Sequence, residues 1–118
     1  MDKEFAEHFA REWLDAWNAH DLDRILGHYA DDFEMVSPAI AQILGEPSGM
    51  LRGKEAVRSY WAKALALVPD LKFELQAILL GVESIILFYQ GARGRMVAEV
   101  FHFGPGKQVI RAEAHYGG

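Results

Sequence analysis

Cysteine is absent from the 118 residues, which excludes disulfides, thiol nucleophiles and thiolate metal sites. An excess of basic charge is missing as well. Twelve Lys and Arg stand against seventeen Asp and Glu, spread along the chain without a basic patch, which argues against nucleic acid or an anionic membrane as a partner. Long apolar runs are lacking too: none approaches the roughly 20 residues that span a bilayer. The start, Met1 to Asp15, is acidic and interrupted, unlike a signal peptide. The expectation is a cytoplasmic protein without membrane contact. No repeat, linker or low-complexity tract divides the chain, so a single domain is expected over residues 1–118. With 51% hydrophobic and 25% charged residues, a chain of this length buries roughly two-thirds of its unfolded surface, enough for a core and one modest pocket.

Helical spacing comes first and strand spacing after. Phe5, Phe9, Trp13 and Trp17 recur every four residues with Ala6, Ala10 and Leu14 beside them, while Lys3, Glu4, Glu7, Arg11, Glu12 and Asp15 take the other side. This is an amphipathic helix that buries four aromatics. Asp21 is placed to cap a short second helix through Ile25, Leu26 and Tyr29. A short strand, Phe33 to Val36, is expected to stop at Pro38, followed by an apolar loop from Ala39 to Arg52 that folds over something. A third helix opens at Gly53, carries Val57, Tyr60, Trp61, Ala64, Leu65 and Val68 on one face, and closes at Pro69.

Beyond Pro69 the period becomes two. Leu71, Phe73, Leu75 and Ala77 alternate with Lys72, Glu74 and Gln76, and Gly81 turns the chain into Ser84 to Gln90. Two further strands, Arg95 to Phe103 and Lys107 to Tyr116, are bounded by Gly91 to Gly94 and by Gly104-Pro105-Gly106. Both faces of Ser84 to Tyr89 are apolar, which predicts a sheet covered on both sides: by helices on one, by a second copy of the chain on the other.

Three helices followed by a meander of long strands carry several short motifs in order. These are Trp17-Asn18-Ala19-His20-Asp21-Leu22-Asp23, Tyr29-Ala30-Asp31-Asp32-Phe33, Ser37-Pro38, Gly53-Lys54-Glu55-Ala56-Val57, Glu99-Val100-Phe101-His102-Phe103 and Ala114-His115-Tyr116. Their order and spacing resemble the nuclear-transport-factor-2-like superfamily, in its SnoaL-like and ketosteroid-isomerase-like branch, over essentially the whole chain. The resemblance implies an α+β fold, a cone in which three N-terminal helices pack in a curved, mixed, mostly antiparallel sheet. It also implies a homodimer through the outer sheet face and an apolar pocket inside. Ketosteroid isomerase is one of the standing examples of pKa tuning: an aspartate base, a tyrosine and a protonated second acid. By that resemblance the base slot before the proline holds Ser37, the tyrosine slot holds Trp13, and the second-acid slot, two residues before Phe-x-Phe, keeps Glu99. In the polyketide cyclases the acid lies on the last strand, where Glu113 is the nearest carboxylate.

The orientation of Glu99 depends on strand register. If Phe103 pairs with Gln108, Glu99 lies opposite Ala112 and shares a face with Val97, Phe101, Ile110, Ala112, Ala114 and Tyr116, an apolar cup with Arg95 and Tyr116 at its mouth. If Phe103 pairs with Lys107, Glu99 faces Arg111 beside Glu113 and His115 as a surface ion pair. The alternation of Ile110, Ala112, Ala114 and Tyr116 favours the cup, where burial raises the pKa of the Glu99 carboxyl and makes it a hydrogen-bond donor. Trp13, Trp17, Tyr29, Tyr60 and Trp61 are chiefly core, with some reaching the pocket, and Met35, Ser37, Val97, Phe101, Ala112, Ala114 and Tyr116 complete the expected lining. Ser37 reads as a turn hydroxyl without a nucleophile elbow, and Glu4, His8 and Glu12 as a solvated stripe, so no metal site is expected. No glycine loop joins a strand to a helix as dinucleotides require, and no cofactor is expected. The expected partner is a small hydrophobic molecule, carbonyl-bearing or aromatic. An enzyme of this kind would perform cofactor-free proton transfer of isomerase or cyclase type through Glu99. The alternatives are a non-catalytic carrier or sensor, and a structural dimerisation module.

Overall fold

The computed structural model describes residues 1–117. Helix α1 (Lys3–Asn18) starts at Asp2, whose carboxylate accepts from the Glu4 amide at 3.3 Å, and it buries the Ala6, Phe9, Ala10, Trp13, Ala16 and Trp17 stripe. Helix α2 (Leu22–Leu26) is capped by Asp21, which accepts from the Arg24 amide at 3.2 Å. It ends at Leu26, so Tyr29 belongs instead to strand β1 (Tyr29–Val36), four residues longer than the sequence pattern indicated. Tyr29 and Phe33 are both fully buried there. Their place in the core, which local propensity does not register, draws the residues before Phe33 into the sheet.

The expected loop from Ala39 to Arg52 is corrected to a helix, α3 (Pro38–Leu44), a turn, and an edge strand, β2 (Met50–Arg52). The reason lies in Ser37-Pro38: the serine hydroxyl accepts from the Ala39 amide at 3.1 Å, and proline at the first helical position loses no hydrogen bond. Pro38 thus ends a strand and begins a helix in one step. Gly45 closes α3 at φ 71°, a left-handed conformation that favours glycine. Helix α4 (Lys54–Leu67) then supplies Val57, Tyr60 and Trp61 to the core.

Strands β3 (Glu74–Leu80), β4 (Ser84–Gln90), β5 (Met96–Phe103) and β6 (Val109–Tyr116) complete a six-stranded sheet in the order β2-β1-β6-β5-β4-β3. Only the β1–β6 pair is parallel. Leu71 and Phe73 are buried, yet they precede β3 rather than forming its start. The Asn18 side chain takes the place of a strand partner for Phe73, accepting from its amide at 2.7 Å and donating to its carbonyl at 3.0 Å. Helices α1, α3 and α4 pack against β3, β6 and β1 respectively, so the helical layer covers one face of the sheet. No helix among the described residues is long and apolar enough to cross a membrane.

Neither register weighed for the last hairpin is the one observed. Glu99 pairs with Ala114, Val97 with Tyr116 and Phe101 with Ala112. The turn closes with Gly104 N–H donating to the Gln108 carbonyl at 2.9 Å, and a bulge lies between His102 and Phe103. The partner of Glu99 is displaced by two residues from the favoured register. A shift of two preserves the face, so Glu99 still points inward. The bulge does change the face near the turn: Val109 is buried, whereas Ile110, expected inside, is 46% exposed.

Candidate functional site

Pairing across β4, β5 and β6 builds three rungs on the covered face: Ile85–Phe101–Ala112, Leu87–Glu99–Ala114 and Tyr89–Val97–Tyr116. Every member of the first two rungs except Glu99 is apolar, which puts the carboxyl in a dry setting. Glu99 is only 4% exposed. Its Oε1 accepts from the Tyr89 hydroxyl at 2.7 Å, and Oε2 has no partner among the described residues. Burial disfavours the charged form and raises the pKa of Glu99 to about 7, with the Tyr89 hydrogen bond opposing. Near neutral pH the carboxyl therefore exists in both forms, able to donate a proton or accept one.

The cavity above this carboxyl holds about 250 Å³. Buried Trp13 and Trp17 of α1, Tyr60 and Trp61 of α4, and Met35, Tyr89 and Val97 of the sheet line its interior. Ala39, Gln42 and Ile43 of α3 form a cover. Exposed Gln42, Leu67, Arg93 and Arg95 mark its mouth. A wider polar depression of about 470 Å³ continues outward between residues 67–74 and 90–94. Glu99 is the one carboxylate on the inner wall among the described residues.

The surrounding phenols are all protonated at neutral pH. Burial raises Tyr29, Tyr60, Tyr89 and Tyr116 above the ordinary tyrosine value, and the Glu99 charge adds to the rise in each. Tyr116 is fixed from two sides: its hydroxyl accepts from Ser37 at 3.3 Å and the Arg95 guanidinium lies 4.8 Å from its ring centre. The Trp17 indole N–H, sealed from solvent, has no hydrogen-bond partner among the described residues.

Of the side chains named as lining from the sequence, Trp13, Trp17, Met35, Tyr60, Trp61, Val97 and Tyr116 reach the cavity beside Glu99. Tyr29, Ser37, Phe101, Ala112 and Ala114 do not; they are buried behind its wall. Each has a local cause. The Tyr29 hydroxyl accepts from Trp13 Nε1 at 2.9 Å, which also turns the indole donor in the tyrosine slot away from Glu99. Phe101 packs edge-on against Phe9 and Trp13. Ser37 serves as the cap of α3, and α3 in turn packs against β6, the strand that carries Ala112 and Ala114.

Glu113, the other acid considered, faces outward. Its carboxylate meets His102 at 3.0 Å and Arg111 at 3.6 Å, and the His102 hydrogen bond is the main cause that lowers its pKa. On the polar side of α1, Glu12 pairs with Arg24 at 3.2 Å, and the described residues contain no group of three acids or histidines placed to hold a metal. Ala39, Gln42 and Ile43 belong to the apolar segment expected to fold over something, and they do cover the cavity; Leu67, Phe73 and Arg93 are lining residues that the sequence does not point to. Arg93 sits at φ 58° in a turn, where no periodic pattern identifies it. The covering role of the α3 residues follows from their apolarity, whereas their helical form follows only from reading Ser37-Pro38 as a helix start.

The family model for the SnoaL-like domain matches residues 10–114. The chain belongs to the SnoaL-like family. Among solved structures, this SnoaL-like chain is similar to a SnoaL-like protein of unknown function from Burkholderia thailandensis, with 62% identity, a TM-score of 0.96, and coverage of 99% of this chain and 98% of that one. An NTF2-like protein from Cytophaga hutchinsonii shares the fold at 13% identity and a TM-score of 0.73, with 95% and 89% of the two chains covered. So does TerC, co-crystallised with polyporic acid, at 13% identity and a TM-score of 0.77, covering 96% and 92%. No curated protein matches this SnoaL-like sequence.

Proposed function

We propose that this SnoaL-like domain binds a small, largely apolar molecule carrying a carbonyl or phenolic oxygen, and that Glu99 is its principal polar contact. The observation that carries the reading is a buried carboxyl, tuned to about pKa 7, with one oxygen unpartnered at a cavity of about 250 Å³. That volume lies just below the range of about 300–1,000 Å³ usual for small-molecule sites. The ligand is thus a small one. A protonated Glu99 donates to the ligand oxygen and stabilises charge developing there, which supports cofactor-free proton transfer of isomerase or cyclase type. The co-crystallisation of TerC, a protein of the same fold, with polyporic acid is consistent with an organic ligand in such a cavity.

Ser37 favours a second reading. In the slot where a base would stand, its hydroxyl caps α3 and donates to Tyr116, so proton transfer has one carboxyl and no second base. A carrier that binds through Glu99 without turnover needs no second base. Glu99→Gln separates the two. In an enzyme it should cut turnover by at least about tenfold, measured as proton exchange on a panel of hydrophobic ketones and phenols. Saturable binding of such compounds with no exchange in the wild type supports the carrier, and full activity in the variant overturns the role of Glu99.

Self-association through the outer sheet face accompanies this reading. Ile86 and Val100 on adjacent strands, with Phe88 beside Ala98, form a partly exposed apolar stripe flanked by His102, Arg111 and Glu113. Apolar centre and mixed-charge rim suit an isologous contact with a second copy. Sedimentation velocity should give twice the monomer mass, and Phe88→Glu should return the monomer. A monomeric wild type at micromolar concentration overturns the contact.

A further inference from the structure

The cavity mouth carries a cation whose position is set and whose charge meets no carboxylate among the described residues. Arg95, Val97 and Glu99 alternate on one face of the chain that forms β5, which separates the Cα atoms of Arg95 and Glu99 by about 13 Å at the usual strand rise. The guanidinium of Arg95 is held over the Tyr116 ring at 4.8 Å and donates to the Gly117 carbonyl at 3.4 Å. Tyr116 is anchored by Ser37, itself fixed as the cap of α3. Arg24, Arg52, Arg58 and Arg111 each hold a carboxylate, whereas Arg95 has none within 4 Å among the described residues. This occurs in a chain with seventeen acidic side chains against twelve basic ones. A second arginine, Arg93, is exposed at the same mouth. Asp70 and Glu74 border only the outer depression, and neither pairs with either arginine.

We propose that the ligand is an elongated, flat, apolar acid whose carboxylate pairs with Arg95 at the mouth while a hydroxyl or carbonyl at its far end meets Glu99. This rests on the reading of the cavity as a ligand site and adds polarity and direction to it. The orientation follows from charge. An anionic group placed at the inner end would be stripped of water in a dry cup that offers it no cation, where an unpaired charge is costly to bury. At the mouth it meets a planar fork of donors suited to a carboxylate. Between the two ends, the indoles of Trp13, Trp17 and Trp61 line the passage and suit an aromatic body.

The test compares 6-hydroxy-2-naphthoate with its methyl ester by calorimetric titration at pH 6, the two probes differing in charge at one end only. The acid should bind the wild type about tenfold more tightly or better, the gain of a charge-assisted pair. Arg95→Gln should remove that advantage and leave ester affinity nearly unchanged, and Arg95→Lys should keep most of it. Arg93→Gln should cost less. Added salt should weaken the acid and not the ester. Equal binding of acid and ester, or an advantage that survives Arg95→Gln, overturns the role of Arg95 and leaves the cavity reading intact. Failure of both probes to bind the wild type overturns both. Unchanged thermal unfolding of Arg95→Gln distinguishes lost pairing from a lost fold.

Discussion

Between pH 4.5 and pH 7 the wild-type protein should lose about 3 kcal/mol of folding stability relative to Glu99→Gln, the expected consequence of a carboxyl whose pKa rises from 4.5 to about 7 on folding. In this interval the native state retains the Glu99 proton and the unfolded chain has released it. The native state therefore binds more protons, and stability falls as pH rises. The contribution is fully present below pH 4.5, declines to pH 7 and is flat above. Other groups act in the opposite sense. The Glu46 and Glu113 carboxyls, lowered chiefly by Ser48 and His102 hydrogen bonds, and His28, lowered by burial, all favour the fold as pH rises. Their contributions are common to both proteins and cancel in the difference. Gln keeps the shape and can still accept from Tyr89, so the variant should be the more stable protein at pH 8. Urea unfolding of the pair at intervals from pH 4 to pH 8 measures this. Parallel curves would mean that Glu99 is hydrated or paired, and the donor role assigned to it would fall.

Trp13→Ala should cost about 3–5 kcal/mol, the range for removing a large aromatic from a packed core. Trp13 is 1% exposed and meets four aromatic neighbours, Trp17, Phe73, Tyr89 and Phe101, with ring centres 5.3–6.2 Å apart. Its indole N–H also donates to the Tyr29 hydroxyl, which is otherwise sealed in the core. Trp13→Phe keeps most of the contact and loses this donor, so it should cost about 1–3 kcal/mol, the usual penalty for a buried polar group left without its partner. The graded pair separates packing from hydrogen bonding in one denaturation experiment. A loss below about 1 kcal/mol for Trp13→Ala would show that α1 contributes little to the wall of the cavity and that the cup can close without it.

The helix face of α1 was readable because Phe9, Trp13 and Trp17 recur at the helical period and a buried stripe needs that period. The inward direction of Glu99 was readable for a related reason. Side chains on a strand alternate, so Val97, Glu99, Phe101 and Phe103 share one face whatever their partners. Ser37-Pro38 contains the signal for α3, but a proline ends a strand as readily as it begins a helix, and both outcomes are compatible with the dipeptide. Which residues of β6 lie opposite Glu99 was not readable, because a five-residue turn and a bulge differ from a plain hairpin by little free energy. Packing decides between them. Burial of Val109 beneath the helices, with Ile110 turned out, selects the bulged form.

By itself the sequence determined the buried aromatic stripe and the face on which Glu99 lies, both set by periods of residues near one another in the chain, and the order of its motifs carried the resemblance that implied the SnoaL-like fold. Tertiary structure alone decided that Ala112 and Ala114 are buried behind the cavity wall, that Ser37 is occupied as a cap, and that Arg93 and Arg95 converge on the mouth of one cavity. These outcomes depend on contacts between distant segments, in which volume must be filled once and each buried polar group must find a partner, and no local period encodes that competition.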